Sequence, residues 1–296
     1  MLNLEHLLAV AQAHQESLKA EVASFAIGTK FFDFNQAPAL MGVINLSPDS
    51  WYRESVCLSA DQAIQRGMVL AAQGAHLIDI GAESTLAHAS RVRPCLQSGR
   101  LLPVVSALAS ERVAVSVETY EPEVAKAALE AGAAVINFTG QKTAEPVYRL
   151  VAEHDAALII CHVQGENVRE VGDLQLGADP IPDLLGFFER EIDKATVCGV
   201  RRIFIDPGLG FYYSNLQDSA ERVRFQALTF LNTFRLRSLG WPVCHVLPHA
   251  FEFFAEEVRS AEPFFAVLAA LGRTDLIRTH EVARVKGVLD TMQACG

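Results

Sequence analysis

Polar side chains close most of the short apolar runs in this chain, and they are the residues best placed to do chemistry. Glu118 and Asp206 end two such runs, and Asn137 lies inside an otherwise apolar stretch. Carboxylates accept hydrogen bonds from a flat heterocycle that carries a row of N–H donors, and an amide both accepts and donates. These three residues therefore predict a site for a planar, nitrogen-rich ligand.

A second pair, Arg278 and His280, follows the last apolar run and has the chemistry of an anion site. Arginine suits bidentate contact with phosphate, and histidine adds another donor. Each has a structural alternative: Arg278 could form a salt bridge on the rim, and His280 could be a core histidine bonded to backbone. A lone polar residue after a strand is most often a turn or helix-cap residue. Because nearly every run delivers one, the set favours a binding site.

The apolar runs alternate with helical patterns, which predicts a (β/α)8 TIM barrel. The runs are short and continuous, as expected for strands with both faces buried. Helices are clearest at 60–73 and 122–131, each followed by glycine. Eight such units in about 260 residues match the usual barrel size, and an open, doubly wound sheet is the alternative. The predicted strands are 39–45, 76–82, 113–119, 134–139, 157–163, 202–206, 243–247 and 275–280.

The first 36 residues precede this alternation and predict a short extension. Residues 4–25 have apolar residues at helical spacing, and 26–34 resemble a short hairpin with Gly28 at its turn. We expect these pieces to close the lower mouth of the barrel. The chain is therefore divided into an extension, 1–36, and a barrel, 37–296.

Composition limits the classes of function. With 25 basic and 35 acidic residues the formal charge is −10, which argues against nucleic-acid binding. The six cysteines form no CxxC pair and are expected to be reduced thiols of a cytoplasmic protein. The start has no signal-peptide pattern, and no apolar run reaches the ~18 residues of a membrane span. We expect a homodimer with a small-molecule substrate.

Six segments, taken in order, resemble the dihydropteroate synthase family. They are 41–50 (MGVINLSPDS), 78–85 (IDIGAEST), 116–127 (SVETYEPEVAKA), 135–137 (VIN), 206–211 (DPGLGF) and 278–280 (RTH). One alone would be weak evidence, but together they span nearly all of the chain after residue 37. The resemblance implies a barrel that binds a pterin in its upper mouth. It also implies folate biosynthesis, in which the amine of p-aminobenzoate displaces diphosphate from a dihydropterin methyl diphosphate.

The resemblance assigns roles to individual residues. Asn45 would lie at the metal and the diphosphate, with Mg²⁺ brought by the diphosphate. Arg278 and His280 would also contact the diphosphate, while Asn137 and Asp206 would hold the pterin edge. The implied catalytic residues are Asn45, Asp206, Arg278 and His280, and the implied substrate-binding residues are Thr85, Glu118, Asn137, Asp206, Phe211 and His249.

The chain departs from the family pattern mainly on the aminobenzoate side. Glu118 stands where the family usually has Asp, which lengthens the reach by one methylene. In loop two, which follows the predicted strand 76–82, the family has an arginine where this chain has Leu86. Arg91 or Arg93 could substitute for it. After the seventh predicted strand, 243–247, the family's Ser-Arg-Lys motif is replaced by residues 248–250 (PHA). Ala250 therefore stands where the family has the lysine that borders the aminobenzoate site. We therefore expect turnover of p-aminobenzoate to be very slow or absent.

Three functions stay open at this point. The first is a transferase that uses a pterin diphosphate, with p-aminobenzoate or another acceptor. The second is a catalytically impaired pterin-binding paralogue that acts as a scaffold or partner. The third is a methyl transferase that uses a reduced folate, but a folate methyl donor carries no diphosphate for Arg278 and His280 to bind.

Overall fold

The computed structural model describes residues 2–50, 52–85, 89–175, 177, 179–211, 213, 215–216 and 218–295. A two-stranded hairpin precedes a parallel sheet of eight strands surrounded by helices. The strands are β1 (Phe25–Ile27), β2 (Lys30–Phe32), β3 (Ala39–Asn45), β4 (Leu77–Gly81), β5 (Val115–Thr119), β6 (Val135–Phe138), β7 (Ala157–Cys161), β8 (Ile203–Asp206), β9 (Cys244–Val246) and β10 (Leu276–Thr279).

The helices pack outside the sheet, mostly one after each strand. They are α1 (Leu4–Ala13), α2 (Ala60–Ala72), α3 (Pro94–Ser110), α4 (Pro122–Glu130), α5 (Ala144–Glu153), α6 (Ile181–Val197), α7 (Ser219–Leu236), α8 (Phe251–Phe254), α9 (Ala261–Leu271) and α10 (Val282–Cys295). Helix α4 shows how the sequence sets their limits, since Pro122 occupies its first turn and Gly132, at φ +103°, follows its end. In the described part of the chain, no helix is both long and apolar enough to cross a membrane.

The sheet closes into a barrel. Its strands lie in the order β8-β7-β6-β5-β4-β3-β10-β9. The two end strands meet through a parallel bridge between Ile205 and Val243, next to which Ile205 N donates to Pro242 O at 3.1 Å. All eight predicted strands are present, shortened by up to two residues at one or both ends except at 39–45. The predicted TIM barrel is confirmed, and the open-sheet alternative is wrong because the end strands pair.

The N-terminal helix is shorter than predicted. It ends at Ala13 instead of continuing to residue 25, and none of its residues is buried. Val22 instead lies outside any helix, where its N–H donates to Asn35 Oδ1 at 3.0 Å and its carbonyl accepts from Asn35 Nδ2 at 2.9 Å. This pairing anchors residue 22 to the end of the hairpin, so the helical spacing of residues 14–25 is overridden.

The hairpin fills the amino-terminal mouth of the barrel. Gly28 makes its turn at φ +58°, as predicted, and Phe25 pairs with Phe32 across it. The rings of Phe25 and Phe34 contact Phe204 of β8 edge-on, at centroid distances of 5.2 and 5.3 Å. The hairpin therefore shares a core with the barrel interior, and the division of the chain at residue 36 stays a prediction.

Alternation along the strands separates this core from a polar layer above it. A residue that packs in the lower interior is followed, two positions later, by one that lines a cavity at the carboxyl ends of the strands. These pairs are Val135 and Asn137, Ile159 and Cys161, Phe204 and Asp206, and Leu276 and Arg278. The interior layer thus sets the height at which the polar groups stand.

Candidate functional site

A cavity at the carboxyl ends of the strands collects the residues that the sequence singled out. It encloses roughly 1120 Å³, counting its open mouth. The predicted site residues that line it are Asn45, Thr85, Glu118, Asn137, Asp206, Phe211, His249, Arg278 and His280. The structure therefore brings all nine together, while their individual roles stay predictions.

The floor of the cavity is an ionic network centred on Asp79. Arg278 donates from Nε to Asp79 Oδ2 at 2.7 Å and from Nη2 to Glu118 Oε2. Asp79 is completely buried and also accepts from Ser116 Oγ at 2.6 Å and from Asn137 Nδ2 at 3.1 Å. The Arg278 side chain thus reaches from β10 past β3 to β4 and β5, and it orients both Glu118 and, through Asp79, Asn137.

Asp79 was not among the predicted site residues, although it shows the same sequence pattern as Asn137, which was. Both are polar residues inside apolar strands, at positions where the side chain points into the barrel. An ionised carboxylate at such a depth requires partners, because burial without them is costly. The partner was Arg278, which the sequence suggested for an anion instead.

Two carboxylates of the cavity titrate near neutral pH. Burial raises the pKa of Glu118 to about 7, against the opposing effect of Arg278. Burial likewise raises the pKa of Asp206 to about 6, although Gly208 N donates to its Oδ1 at 2.8 Å. Gly208 adopts φ +74°, and a Cβ there would lie 2.3 Å from the His162 carbonyl oxygen. Glycine is therefore required for the N–H that holds Asp206 in place.

On the opposite wall, two histidines converge on a buried carboxylate. His280 Nδ1 lies 2.7 Å and His249 Nε2 lies 3.1 Å from Glu262 Oε1. Glu262 is completely buried, and its Oε2 accepts from the backbone N–H groups of His280 and Glu281, at 2.9 and 3.1 Å, and from the Thr279 hydroxyl. Burial favours its neutral form, but His280 and His249 hold the pKa of Glu262 well below its usual range. No sequence pattern pointed to Glu262, which belongs to the first turn of α9.

The loop after β3 covers these histidines. The Tyr52 ring stacks on His249 with 4.6 Å between centroids and 13° between planes, and its hydroxyl donates to Glu281 Oε1 at 2.5 Å. Arg259 grips the same carboxylate, with Nε at 2.6 Å from Oε1 and Nη2 at 2.9 Å from Oε2. Loop one is therefore fixed by side chains from the far end of the chain. Trp51, which precedes Tyr52 in this loop, lies outside the described residues.

A cation enters the cavity beside Ala250 from an unexpected element. Ala250 is buried and has φ +44°, in the left-handed region. Arg222, on α7, is also buried and lines the same cavity, where it donates to Glu252 and, at 3.2 Å, to the Leu216 carbonyl. Helix α7 thus places a positively charged side chain in the wall where residues 248–250, which follow β9, provide none.

The arginines suggested for loop two are placed elsewhere. Arg91 donates to the Tyr120 hydroxyl and to Glu170, both at 2.7 Å, at the surface. Arg93 is exposed and precedes α3. A different arginine, Arg169, binds loop two by donating to the Ser84 carbonyl at 2.7 Å. Leu86 and Ala87 themselves lie outside the described residues.

Comparisons with known proteins agree with this geometry. A family model described as "Pterin binding enzyme" matches residues 41–247. The dihydropteroate synthase of Synechocystis sp. is 31% identical over 274 residues, which cover 86% of this chain and 89% of that protein. The dihydropteroate synthase of Xanthomonas albilineans with 4-aminobenzoic acid superposes with a TM-score of 0.75 at 28% identity, covering 92% and 97% of the two chains. That of Burkholderia cenocepacia with 7,8-dihydropteroate gives a TM-score of 0.77 at 26% identity, covering 93% and 96%.

Proposed function

The chain belongs to the pterin binding enzyme family, and from this premise we propose that it is a dihydropteroate synthase-type transferase of folate biosynthesis. It joins a dihydropterin methyl diphosphate to p-aminobenzoate and releases diphosphate. The relatives described above are dihydropteroate synthases and match it over most of both chains. Nothing in the described part of the molecule favours the scaffold alternative.

The observation that carries the proposal is the polar layer formed by Glu118, Asn137 and Asp206 in one cavity. Asp206 accepts from Gly208 N and lines the cavity, where its carboxylate can also accept from a ring N–H of the pterin. Asn137 is oriented by Asp79, which accepts from its Nδ2. These groups are held by strands, so the ring meets acceptors that are already in place.

In the reaction, the amine nitrogen attacks the methylene carbon while the carbon–oxygen bond to diphosphate breaks. The electron pair of that bond leaves with the diphosphate, and the amine loses a proton. Arg278 and His280 line the cavity and are the donors we assign to the departing anion. Two guanidinium nitrogens of Arg278 are bonded to carboxylates, so its net attraction for the anion depends on the ionisation of Glu118.

Asn45 fits the magnesium role that we propose for it. Its Nδ2 donates to Ser55 Oγ at 2.7 Å, which leaves the amide oxygen for the cavity that it lines. Mg²⁺ prefers oxygen ligands and commonly binds through one or two protein groups together with substrate phosphates. When bound, it would neutralise charge on the diphosphate.

On the acceptor side, the family pattern has a lysine at the position of Ala250, after β9. We assign the positive charge of that lysine to Arg222. The side chain is buried in the cavity wall beside Ala250, close to the loop that carries His249. A homodimer and a cytoplasmic location also belong to the proposal, and sedimentation and cell fractionation would test them.

The decisive experiment incubates the pure protein with a dihydropterin methyl diphosphate and Mg²⁺, with and without p-aminobenzoate, and follows diphosphate release. We expect release that depends on p-aminobenzoate and yields dihydropteroate. Calorimetry with the bare pterin runs beside it. Pterin binding without any diphosphate release would support the paralogue, and a folded sample that binds no pterin would overturn both functions.

A further inference from the structure

Two histidines and one glutamate form a triangle of ligand atoms on the cavity wall. The edges are 2.7 Å from His280 Nδ1 to Glu262 Oε1, 3.1 Å from His249 Nε2 to the same oxygen, and 3.2 Å between the two nitrogens. Ligands that bind a metal ion at about 2.0–2.2 Å are themselves separated by roughly 3 Å. The triangle therefore has the size of one face of a coordination polyhedron.

Hydrogen bonds alone do not satisfy all three edges. Each of the two nitrogens either carries one proton or presents one lone pair. If both donate to Glu262 Oε1, two N–H groups face each other at 3.2 Å. If one of them is unprotonated, its lone pair faces the oxygen or lies idle. A cation seated above this triangle would accept one lone pair from each of the three atoms.

The surroundings hold the ligands as a metal site requires. Glu262 is oriented by the backbone N–H groups of His280 and Glu281, and Tyr52 stacks on His249. Such outer contacts fix ligand orientation in metalloproteins. His249 and His280 line the cavity, whereas Glu262 lies behind them. Positions not taken by protein would therefore open toward the cavity.

We propose that His249, Glu262 and His280 bind one divalent transition-metal ion, of the Zn²⁺ or Co²⁺ type. Two imidazoles and a carboxylate, with open positions, are the ligand set of catalytic sites for such ions. The set differs from the Asn45 site assigned to Mg²⁺, which prefers oxygen ligands. All three residues lie beyond the family match, which ends at residue 247.

The coordination positions that the protein leaves open indicate which class of substrate the ion would bind. They face the cavity that Asn45 and Arg278 also line, so an oxygen of the diphosphate group is the ligand we infer for them. This second step rests on the proposed function, whereas metal binding itself does not. The two steps are therefore tested separately.

Metal binding is tested on the full chain after chelator treatment, by titration with Co²⁺ followed by visible absorption and by thermal unfolding. Cys95→Ser and Cys295→Ser form the background, because these two thiols are exposed. We expect one Co²⁺ per chain, displaced by Zn²⁺, with a raised unfolding temperature. His249→Gln should weaken binding at least ~10-fold. His154→Gln, at an exposed histidine outside the cluster, is the control.

Failure to bind Co²⁺ one to one, or unchanged binding in His249→Gln, would overturn the site. Glu262→Gln is the second variant, and unfolding of that variant leaves the His249→Gln result decisive. For the second step, inorganic diphosphate should bind the Zn²⁺-loaded protein more tightly than the stripped protein, and equal affinities would overturn it. A protein that binds Co²⁺ but makes no dihydropteroate would contradict the proposed function alone.

Discussion

Arg278 on β10 and Asp79 on β4 form an ion pair across the mouth of the barrel, with 2.7 Å between Arg278 Nε and Asp79 Oδ2. The same guanidinium binds Glu118, so one cation serves two carboxylates, of which Asp79 is completely buried. Its observed role is therefore to hold these two side chains in place, and through Asp79 it also orients Asn137. Contact with a diphosphate, as proposed above, would be an additional role.

The first prediction concerns Arg278→Met. Removing one partner of a buried ion pair typically costs about 3–5 kcal/mol, because the other charge is left uncompensated. We expect a loss of stability of that size, together with weaker binding of the bare pterin and a further loss for the pterin diphosphate. Denaturation and calorimetry measure these quantities. Arg149→Met, in an exposed pair with Glu145, should leave stability nearly unchanged. An unchanged affinity for the bare pterin would show that Arg278 serves the anion alone.

The second prediction concerns Asp206. Asp206→Ala should weaken pterin binding, because each ring N–H left unpaired in the cavity costs about 1–3 kcal/mol. That corresponds to roughly 5- to 150-fold in Kd for one lost bond. Calorimetry with a pterin measures it, and Asp193→Ala, at an exposed position on α6, is the control. Equal affinities of the two variants would remove Asp206 from the site.

The third prediction is a pH dependence of pterin binding. The pKa of Glu118 is raised to about 7 and that of Asp206 to about 6, so both lose their charge as the pH falls through this window. A protonated carboxyl is a poorer acceptor for a ring N–H, so affinity should be highest above pH 7 and fall as the pH falls. The sign is opposite for the unliganded fold. A carboxyl with a raised pKa favours the folded state at low pH, and that contribution is lost as the pH rises. In Glu118→Gln, the loss of affinity near pH 7 should disappear, and only the loss near pH 6 from Asp206 should remain.

The barrel was readable from the sequence because its determinants are local. Continuous apolar runs and the glycines that end helices fix the elements, and the inward residue of each strand is known once its register is set. The cavity contacts were not readable, because they depend on which strands face each other. Arg278 meets Asp79 only after β10 pairs with β3, and Glu262 meets His280 only after α9 packs behind the strand ends.

The fourth prediction concerns the base of the barrel. Arg237 and Asp275 form a buried pair there, and Arg237 Nη2 also donates to Asn35 Oδ1 at 2.7 Å, which ties the N-terminal extension to β10. Asp275→Ala should lower the free energy of unfolding by about 3–5 kcal/mol, because Arg237 would stay buried without its counter-ion. Asp290→Ala, in an exposed pair with Lys286, should cost less than about 1 kcal/mol. Chemical denaturation measures both, and a small loss for Asp275→Ala would mean that water reaches Arg237.

The last prediction concerns the cation beside Ala250. The sequence motif lacks a lysine there, which alone predicts very slow use of p-aminobenzoate, but Arg222 reaches the same cavity from α7. If Arg222 supplies the missing charge, Arg222→Met should lower turnover by about 10²–10³, the usual cost of removing one preorganised donor. The Kd for the bare pterin should change little, since Asn137 and Asp206 are untouched.

Arg224→Met, at an exposed arginine on the same helix, is the matched control. Adding Ala250→Lys to Arg222→Met separates a lost charge from a disturbed wall. A lysine at position 250, after β9, should restore part of the turnover if the site needs a cation. It should restore no turnover if Arg222 only packs against Glu252. Full activity of Arg222→Met would instead require that the charge come from His249 or from loop two. If loop two supplies it, the acceptor site would lie on the side of the cavity where β4 ends.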